Sequence, residues 1–186
     1  MFQASCSYVP PHGNFEVSVP KSPGMKMNYF NNQDGGMVSF HGDFGDLQRV
    51  DYYRIPADAL LSLTRQPSTA DELLQEVFEK AQLASFRAGR KNVRVLHQNV
   101  CTLEGQVCFF AVVHIPEGST MYDLVSQRRA NSTRAVLLFI RGEWVYSASK
   151  QVVSKFDSEP AVPPTQHELD SYLSAVKGFS SMIYFR

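Results

Sequence analysis

The chain has 186 residues, of which 44% are hydrophobic and 19% are charged, an ordinary composition for one soluble globular domain. Its 18 Lys and Arg residues equal its 18 Asp and Glu residues, so no net charge attracts nucleic acid or an anionic membrane. No apolar run is long enough to span a bilayer, and Ala135–Ile140, for example, has only the length of a strand. We therefore predict no nucleic-acid partner, and membrane contact only through an attached lipid.

The first residues of the chain, "MFQASCSYVPPHG", indicate a tether. In a lipoprotein cleavage box, small residues precede the cysteine that becomes lipidated. Ala4 and Ser5 precede Cys6 in the same way, but Gln3 occupies the position at which the box prefers Leu. Two interpretations stay open: a lipid on Cys6, or a tail with an incidental cysteine. We predict that residues 1–13 are a flexible N-terminal tether and that residues 14–186 form a single domain.

Strands are predicted in the first third of the chain. Phe15, Val17 and Val19 alternate with other residues in "NFEVSVP", which is typical of a half-buried strand. Three further strands are predicted at residues 25–30, 37–42 and 47–55, with a loop at residues 31–36. The short connections between them favour antiparallel pairing.

Helices are predicted at three places. Pro56 begins a short helix over "ADALLSL". Thr69 and Glu72 predict a capping box at the start of a longer amphipathic helix, which Gly89 ends. A last helix begins with a second predicted capping box, Thr165 with Glu168.

Two long hairpins are predicted between the second and third helices. The first pairs residues 93–101 with 107–115 around Glu104-Gly105, and the second pairs residues 134–140 with 144–149. Residues 107–115 are apolar at both odd and even positions, so both faces of that strand need covering. We predict an α+β fold: an α/β/α sandwich with a central, mainly antiparallel sheet of about six strands and a long helix on each face.

The two cysteines of the first hairpin are predicted to face each other. With Glu104 and Gly105 as the two turn residues, Cys101 lies opposite Cys108, at a Cα separation that a disulfide can bridge. Two small reduced hydrophobic residues are the alternative. A disulfide places the protein in an oxidising compartment, whereas reduced Cys101 and Cys108 indicate the cytoplasm.

Candidate chemistry is sparse. His41, Asp43 and Asp46 lie within six residues in "FHGDFGD" and are the only candidates for a metal site, although Asp and Gly are also common turn residues. The chain contains no G-x-S-x-G, G-x-G-x-x-G or phosphate-binding P-loop motif. We predict no catalytic residue and no cofactor.

Three stretches resemble a known superfamily: "FEVSVP", "TRAVLLFIRGEWVYSAS" and "LSAVKGFSSMIYF". They are similar to the opening strand, the late hairpin and the terminal helix of the superfamily shared by the photosystem PsbP protein, the Ran-binding nucleotide release factor and DcrB-type bacterial envelope lipoproteins. The resemblance implies an α/β/α fold and a non-enzymatic protein that docks on other proteins or assists an envelope or membrane complex.

The leading functional hypothesis is a secreted or lipid-anchored module of the cell envelope that binds a protein partner. The expected contact elements are the "GDFGD" loop and the long connection from Pro116 to Thr133, because long loops on a rigid scaffold often carry function. The candidate contact residues are Asp43, Phe44, Asp46, Tyr122, Arg128 and Arg129. The alternatives are a cytosolic adaptor or chaperone of the same fold, and a metal-dependent enzyme that uses His41, Asp43 and Asp46.

Overall fold

The computed structural model describes residues 7–11, 14–20, 24–66, 69–156 and 162–186. Within these ranges the strands are β1 Ser7–Tyr8, β2 Phe15–Ser18, β3 Lys26–Asn32, β4 Gly35–His41, β5 Leu47–Arg54, β6 Arg94–Leu103, β7 Gln106–Ile115, β8 Tyr122–Asp123, β9 Arg128–Arg129, β10 Asn131–Arg141, β11 Trp144–Lys155 and β12 Ile183–Phe185. The helical elements are α1 Ala57–Arg65, α2 Ala70–Val77, α3 Ala84–Arg87 and α4 Gln166–Ser180. A π-helical segment, Phe78–Leu83, joins α2 to α3, so these two form one continuous helix.

The main sheet has seven strands in the order β3-β4-β5-β11-β10-β7-β6, and every neighbouring pair is antiparallel. The antiparallel sheet is therefore confirmed, with seven strands where we expected about six. The turn between β3 and β4 is shorter than predicted, because residues 31–32 and 35–36 belong to the strands. The long hairpins have the predicted partners, β6 with β7 and β10 with β11.

A second, three-stranded sheet joins the two ends of the described chain. Its order is β1-β2-β12, with Phe15 opposite Phe185 and Val17 opposite Ile183. Tyr8 in β1 is buried, so part of the segment that the sequence marks as a tether lies against the domain. Residues 1–6 and 12–13 of that segment, including Cys6, lie outside the described residues.

The hydrophobic core consists of two clusters that share the central strands. Phe110 and Val112 of β7 pack in one cluster, together with Val176 and Phe179 of α4. Their neighbours Phe109, Ala111 and Val113 pack in the other cluster, together with Leu74 of α2 and Phe78 of the π-helical segment. Successive side chains of a strand point to opposite faces, and this alternation explains why β7 is apolar at both odd and even positions from Val107 to Val113.

One of the two predicted capping boxes forms. At α4 the Thr165 hydroxyl accepts a hydrogen bond from the Glu168 amide, and the Glu168 carboxylate accepts one from the Thr165 amide. At α2 the prediction is wrong: Thr69 has helical backbone angles, and its hydroxyl donates to the Gln66 carbonyl at 2.8 Å instead of capping the helix. Within the described ranges, no helix has the length and hydropathy needed to cross a membrane.

Candidate functional site

The structure brings the two predicted contact elements together. Residues Asp43–Gly45 form a short 3-10 helix beside the connection that follows β7, and the two enclose a groove of about 620 Å³. Its lining includes Gly42, Asp43, Gly45, residues 120–124 and Phe156. We call this region, residues 42–46 with 116–130, the loop surface.

A buried hydrogen-bond network fixes the base of the loop surface. The Gln151 side chain donates to the Gly45 carbonyl and to the Ser119 hydroxyl, the latter at 3.2 Å. Ser132 in turn donates to the Gln151 amide oxygen at 2.8 Å, and Ser154 donates to Ser119 at 2.7 Å. Because buried polar groups that are paired in this way resist rearrangement, the network holds both loops in one geometry.

Gly45 allows the close approach of the two loops. Its φ is +82°, in the left-handed region that favours glycine. A Cβ atom at this position would lie 2.8 Å from Cγ of Met121 and 2.9 Å from Nε2 of Gln151, which is too close for a side chain. The glycine that sequence analysis read as a turn residue is thus required by packing against the neighbouring loop.

Arg134 anchors the start of the same connection from inside the protein. Its guanidinium donates to the Gly118 carbonyl at 2.9 Å and lies over the Phe86 ring, 5.3 Å from the ring centroid. Burial, reinforced by the charges of Arg49 and Arg90, lowers the pKa of Arg134 to about 10. This side chain therefore ties the loop surface to the helix α2–α3.

The outermost part of the loop surface is a small hairpin with an apolar tip. Strands β8 and β9 pair, and the residues between them include Leu124 and Val125, whose side chains are 83% and 94% exposed. Asp123 accepts hydrogen bonds from the amides of Val125 (2.9 Å) and Ser126 (3.3 Å) and from the Ser126 hydroxyl (2.6 Å). These bonds lower the pKa of Asp123, the Ser126 hydroxyl contributing most. The turn is therefore held in shape while it presents two apolar side chains to solvent.

The predicted contact residues are distributed around this hairpin. Asp43 and Tyr122 line the groove, and Tyr122 is half exposed. Arg128 and Arg129 are exposed on β9 and line a smaller neighbouring pocket of about 190 Å³ that also includes Lys155. Asp46 contributes through its backbone: its carbonyl accepts a hydrogen bond of 2.7 Å from the Gly42 amide, on the other side of the short helix. The structure does not describe the side chain of Phe44.

His41, Asp43 and Asp46 do not assemble as metal ligands. Among the residues that the structure describes, no group of three His, Cys, Asp or Glu side chains is placed to hold a metal ion. His41 instead lies 2.9 Å from the Ser39 hydroxyl, and burial followed by the charges of Arg134 and Arg49 lowers its pKa. A cationic surrounding of this kind does not favour a metal ion.

The cysteine hairpin has the register that the sequence predicts. Cys101 pairs directly with Cys108, and Glu104 and Gly105 both have positive φ, as a type I′ turn requires. Both thiols are free in this structure. Burial raises the pKa of Cys108 to about 11 and also raises that of Cys101, so both are poor nucleophiles at neutral pH. Counted from this turn, an unbroken register places His97 opposite Val112 and His114 opposite Val95. His97 does face Val112, but His114 faces Arg94, because the pairing shifts between Val95 and His97.

A second polar cluster, which sequence analysis did not single out, lies inside the protein. Asp51 of β5 is buried and forms an ion pair with Arg49, whose Nε lies 2.9 Å and 2.8 Å from the two carboxylate oxygens. Gln82 of the π-helical segment donates to the same carboxylate at 3.3 Å and accepts from the Tyr53 hydroxyl at 3.2 Å. Burial and the nearby Asp51 charge raise the pKa of Tyr53, which therefore stays protonated. This cluster connects the helix α2–α3 to the sheet.

No protein-family model matches the chain, and no curated protein matches it. Among solved structures, the fold is similar to the solution structure of cyanobacterial PsbP (CyanoP) from Synechocystis sp. PCC 6803, with a TM-score of 0.48 and 12% identity over 100% of this chain and 95% of that chain. A crystal structure from Bacteroides thetaiotaomicron VPI-5482 is similar with a TM-score of 0.47 and 10% identity, over 99% of this chain and 49% of that chain. The first of these neighbours is described as a PsbP protein.

Proposed function

We propose that the protein is a non-enzymatic accessory protein that docks on another protein through the loop surface. The observation that carries the proposal is the apolar tip of the β8–β9 hairpin. Leu124 and Val125 are almost fully exposed, yet the hydrogen bonds of Asp123 hold their turn in a fixed shape. Apolar side chains that are displayed in a fixed geometry, with polar residues around them, are typical of a docking site.

The charges around the tip favour a protein partner. Asp43 lines the larger groove, Asp123 lines both the groove and the smaller pocket, and the basic residues of the smaller pocket are Arg128, Arg129 and Lys155. A protein surface can complement both signs, and this arrangement fixes orientation. An anionic membrane would attract only the basic side, and the chain as a whole has a net charge of zero.

The loop surface rests on a scaffold suited to this role. We take the helices to cover both faces of the sheet, as the division of the core into two clusters supports.

We expect a photoreactive phenylalanine analogue at position 125 to cross-link one specific protein in living cells of the source organism. Replacing Leu124 by serine in the same chain removes an anchor of the interface and should reduce the cross-linked product about tenfold or more. The measurement is the yield of that product, identified by mass spectrometry after affinity purification.

Leu61 provides the matched control, because it is also exposed and apolar but lies on α1. The analogue at position 61 should not give the same product. Equal yields from positions 61 and 125, a product that contains only a second copy of this chain, or co-sedimentation with anionic vesicles that depends on Leu124 would contradict docking on a protein partner.

The proposed location is outside the cytoplasm, secreted or anchored by a lipid on Cys6. We propose that Cys101 and Cys108 form a disulfide there, which their direct pairing supports. Protein purified without reductant from its own organism and then unfolded should titrate with one free thiol if Cys6 is unmodified, or with none if it is lipidated. Reduction before titration should add two thiols. Three thiols without reduction would instead favour the cytosolic adaptor of the same fold.

A further inference from the structure

We propose that a groove beside the cysteine hairpin binds a small amphipathic organic anion, with an apolar body and a single negatively charged head group. The groove has a volume of about 490 Å³, within the range of about 300–1,000 Å³ that is usual for small-molecule sites. It lies between the β6–β7 turn, the end of α4 and β12. The loop surface is at the opposite ends of β7 and β10, so the two sites are separate.

The floor of the groove is apolar. It is formed by the side chains of Cys108, Leu137, Phe139 and Ile183, all of which are buried in the core cluster that contains α4. The floor carries no charge at neutral pH, because burial raises the pKa of the Cys108 thiol to about 11 and the proposed disulfide of Cys108 is neutral as well. An aliphatic chain or an aromatic ring placed here would leave water and gain contacts with these side chains.

The rim of the groove carries two cations. Arg141 and Lys177 are exposed, and neither forms an ion pair with any residue that the structure describes. The Arg141 guanidinium lies 5.8 Å from the centroid of the Phe185 ring, at the boundary between rim and floor. Glu104, at the tip of the β6–β7 turn, is the one acidic residue of the lining.

Three other polar side chains of the rim already donate hydrogen bonds elsewhere. The hydroxyls of Ser180 and Ser181 donate to the carbonyls of Lys177 and Gly178, both at 2.9 Å. The Gln106 side chain donates to the Ile140 carbonyl. The donors that remain for a head group are Arg141 and Lys177, which both carry positive charge, and the neutral Thr102 hydroxyl. Charge complementarity selects an anion over a cation or a neutral compound.

Two fluorescent probes of the same shape test this assignment. Anilinonaphthalene sulfonate has the aromatic body and an anionic head, whereas N-phenylnaphthylamine has the body alone. We expect the sulfonate to bind one site per chain, and the variant Arg141→Gln/Lys177→Gln to weaken its binding about tenfold or more. The same variant should change the affinity for the neutral probe less than about twofold.

A matched control removes one arginine and one lysine elsewhere. Arg65 on α1 and Lys26 on β3 are both exposed, and Arg65→Gln/Lys26→Gln should leave the affinity for the sulfonate unchanged. Methyl NMR signals of Leu137 and Ile183 should shift on titration with the sulfonate, which places the probe on the floor. Equal loss in the two double variants, equal effects on the two probes, or methyl shifts confined to other residues would overturn the proposal.

Discussion

Replacing Phe15 by alanine should lower the free energy of unfolding by about 3–5 kcal/mol, which is the usual cost of removing a buried aromatic ring. The Phe15 side chain is fully buried, and its ring lies edge-on to those of Tyr52 and Tyr146, with centroids 5.3 Å and 5.4 Å away. It belongs to β2, so it joins the small sheet to the large one. Urea unfolding followed by circular dichroism measures the loss.

Phe30 is the control for this substitution. It lies on the edge strand β3 and is 59% exposed, so Phe30→Ala should change stability by less than about 0.5 kcal/mol. Because Phe15→Ala could prevent folding altogether, Phe15→Leu provides an intermediate case, with an expected loss of about 1–2 kcal/mol. Equal stability of Phe15→Ala and Phe30→Ala would show that β2 does not pack on the main sheet.

The second large effect is expected at the buried ion pair. Asp51→Asn should lower the free energy of unfolding by about 3 kcal/mol, because it leaves the Arg49 guanidinium without its counter-charge in a largely desolvated position. It also replaces one of the two acceptor oxygens of the side chain, and so weakens the link to Gln82 between the helix α2–α3 and the sheet. The free energy of unfolding is again obtained from the midpoint and the slope of the urea unfolding transition.

A surface ion pair offers the comparison. The side chains of Arg54 and Glu143 are 3.2 Å apart but more than half exposed, so Glu143→Gln should cost less than about 0.5 kcal/mol. The double variant Arg49→Met/Asp51→Leu should recover much of the loss of Asp51→Asn, since replacing both partners of a buried pair is often neutral. If Asp51→Asn lowers the free energy of unfolding no more than Glu143→Gln does, the Arg49–Asp51 pair is effectively solvated and the prediction is wrong.

The sequence allowed much of the strand pairing to be predicted, because pairing near a tight turn follows from local chemistry. Two turn residues that both accept positive φ fix Cys101 opposite Cys108. The prediction failed farther along the same hairpin, where an irregularity near Leu96 moves His114 opposite Arg94. Nothing in the local sequence marks that shift, and a displacement of one residue alters every pair beyond it.

The candidate site could be predicted only as a pair of loops. Within the long connection, the sequence "MYDLVSQ" is compatible with either a helical turn or an edge strand. The exposure of its apolar side chains depends on the local hydrogen bonds of Asp123. It also depends on Gln151 and Arg134, which anchor the connection through contacts between residues far apart in the chain. Likewise, the sequence around Asp51 is typical of a strand, but the contact between Asp51 and Gln82 could not be predicted, because it depends on the position of the π-helical segment.

The pairing of β2 with β12 has a consequence for how the domain folds. Phe15 of β2 lies opposite Phe185 of β12, and β5 pairs with β11, so both contacts close long loops of chain. The entropy of closing these loops is lost before the contacts stabilise the fold, which makes such pairings slow to form. We therefore expect slow folding, during which Phe15 and the inner edge of β5 remain open to aggregation.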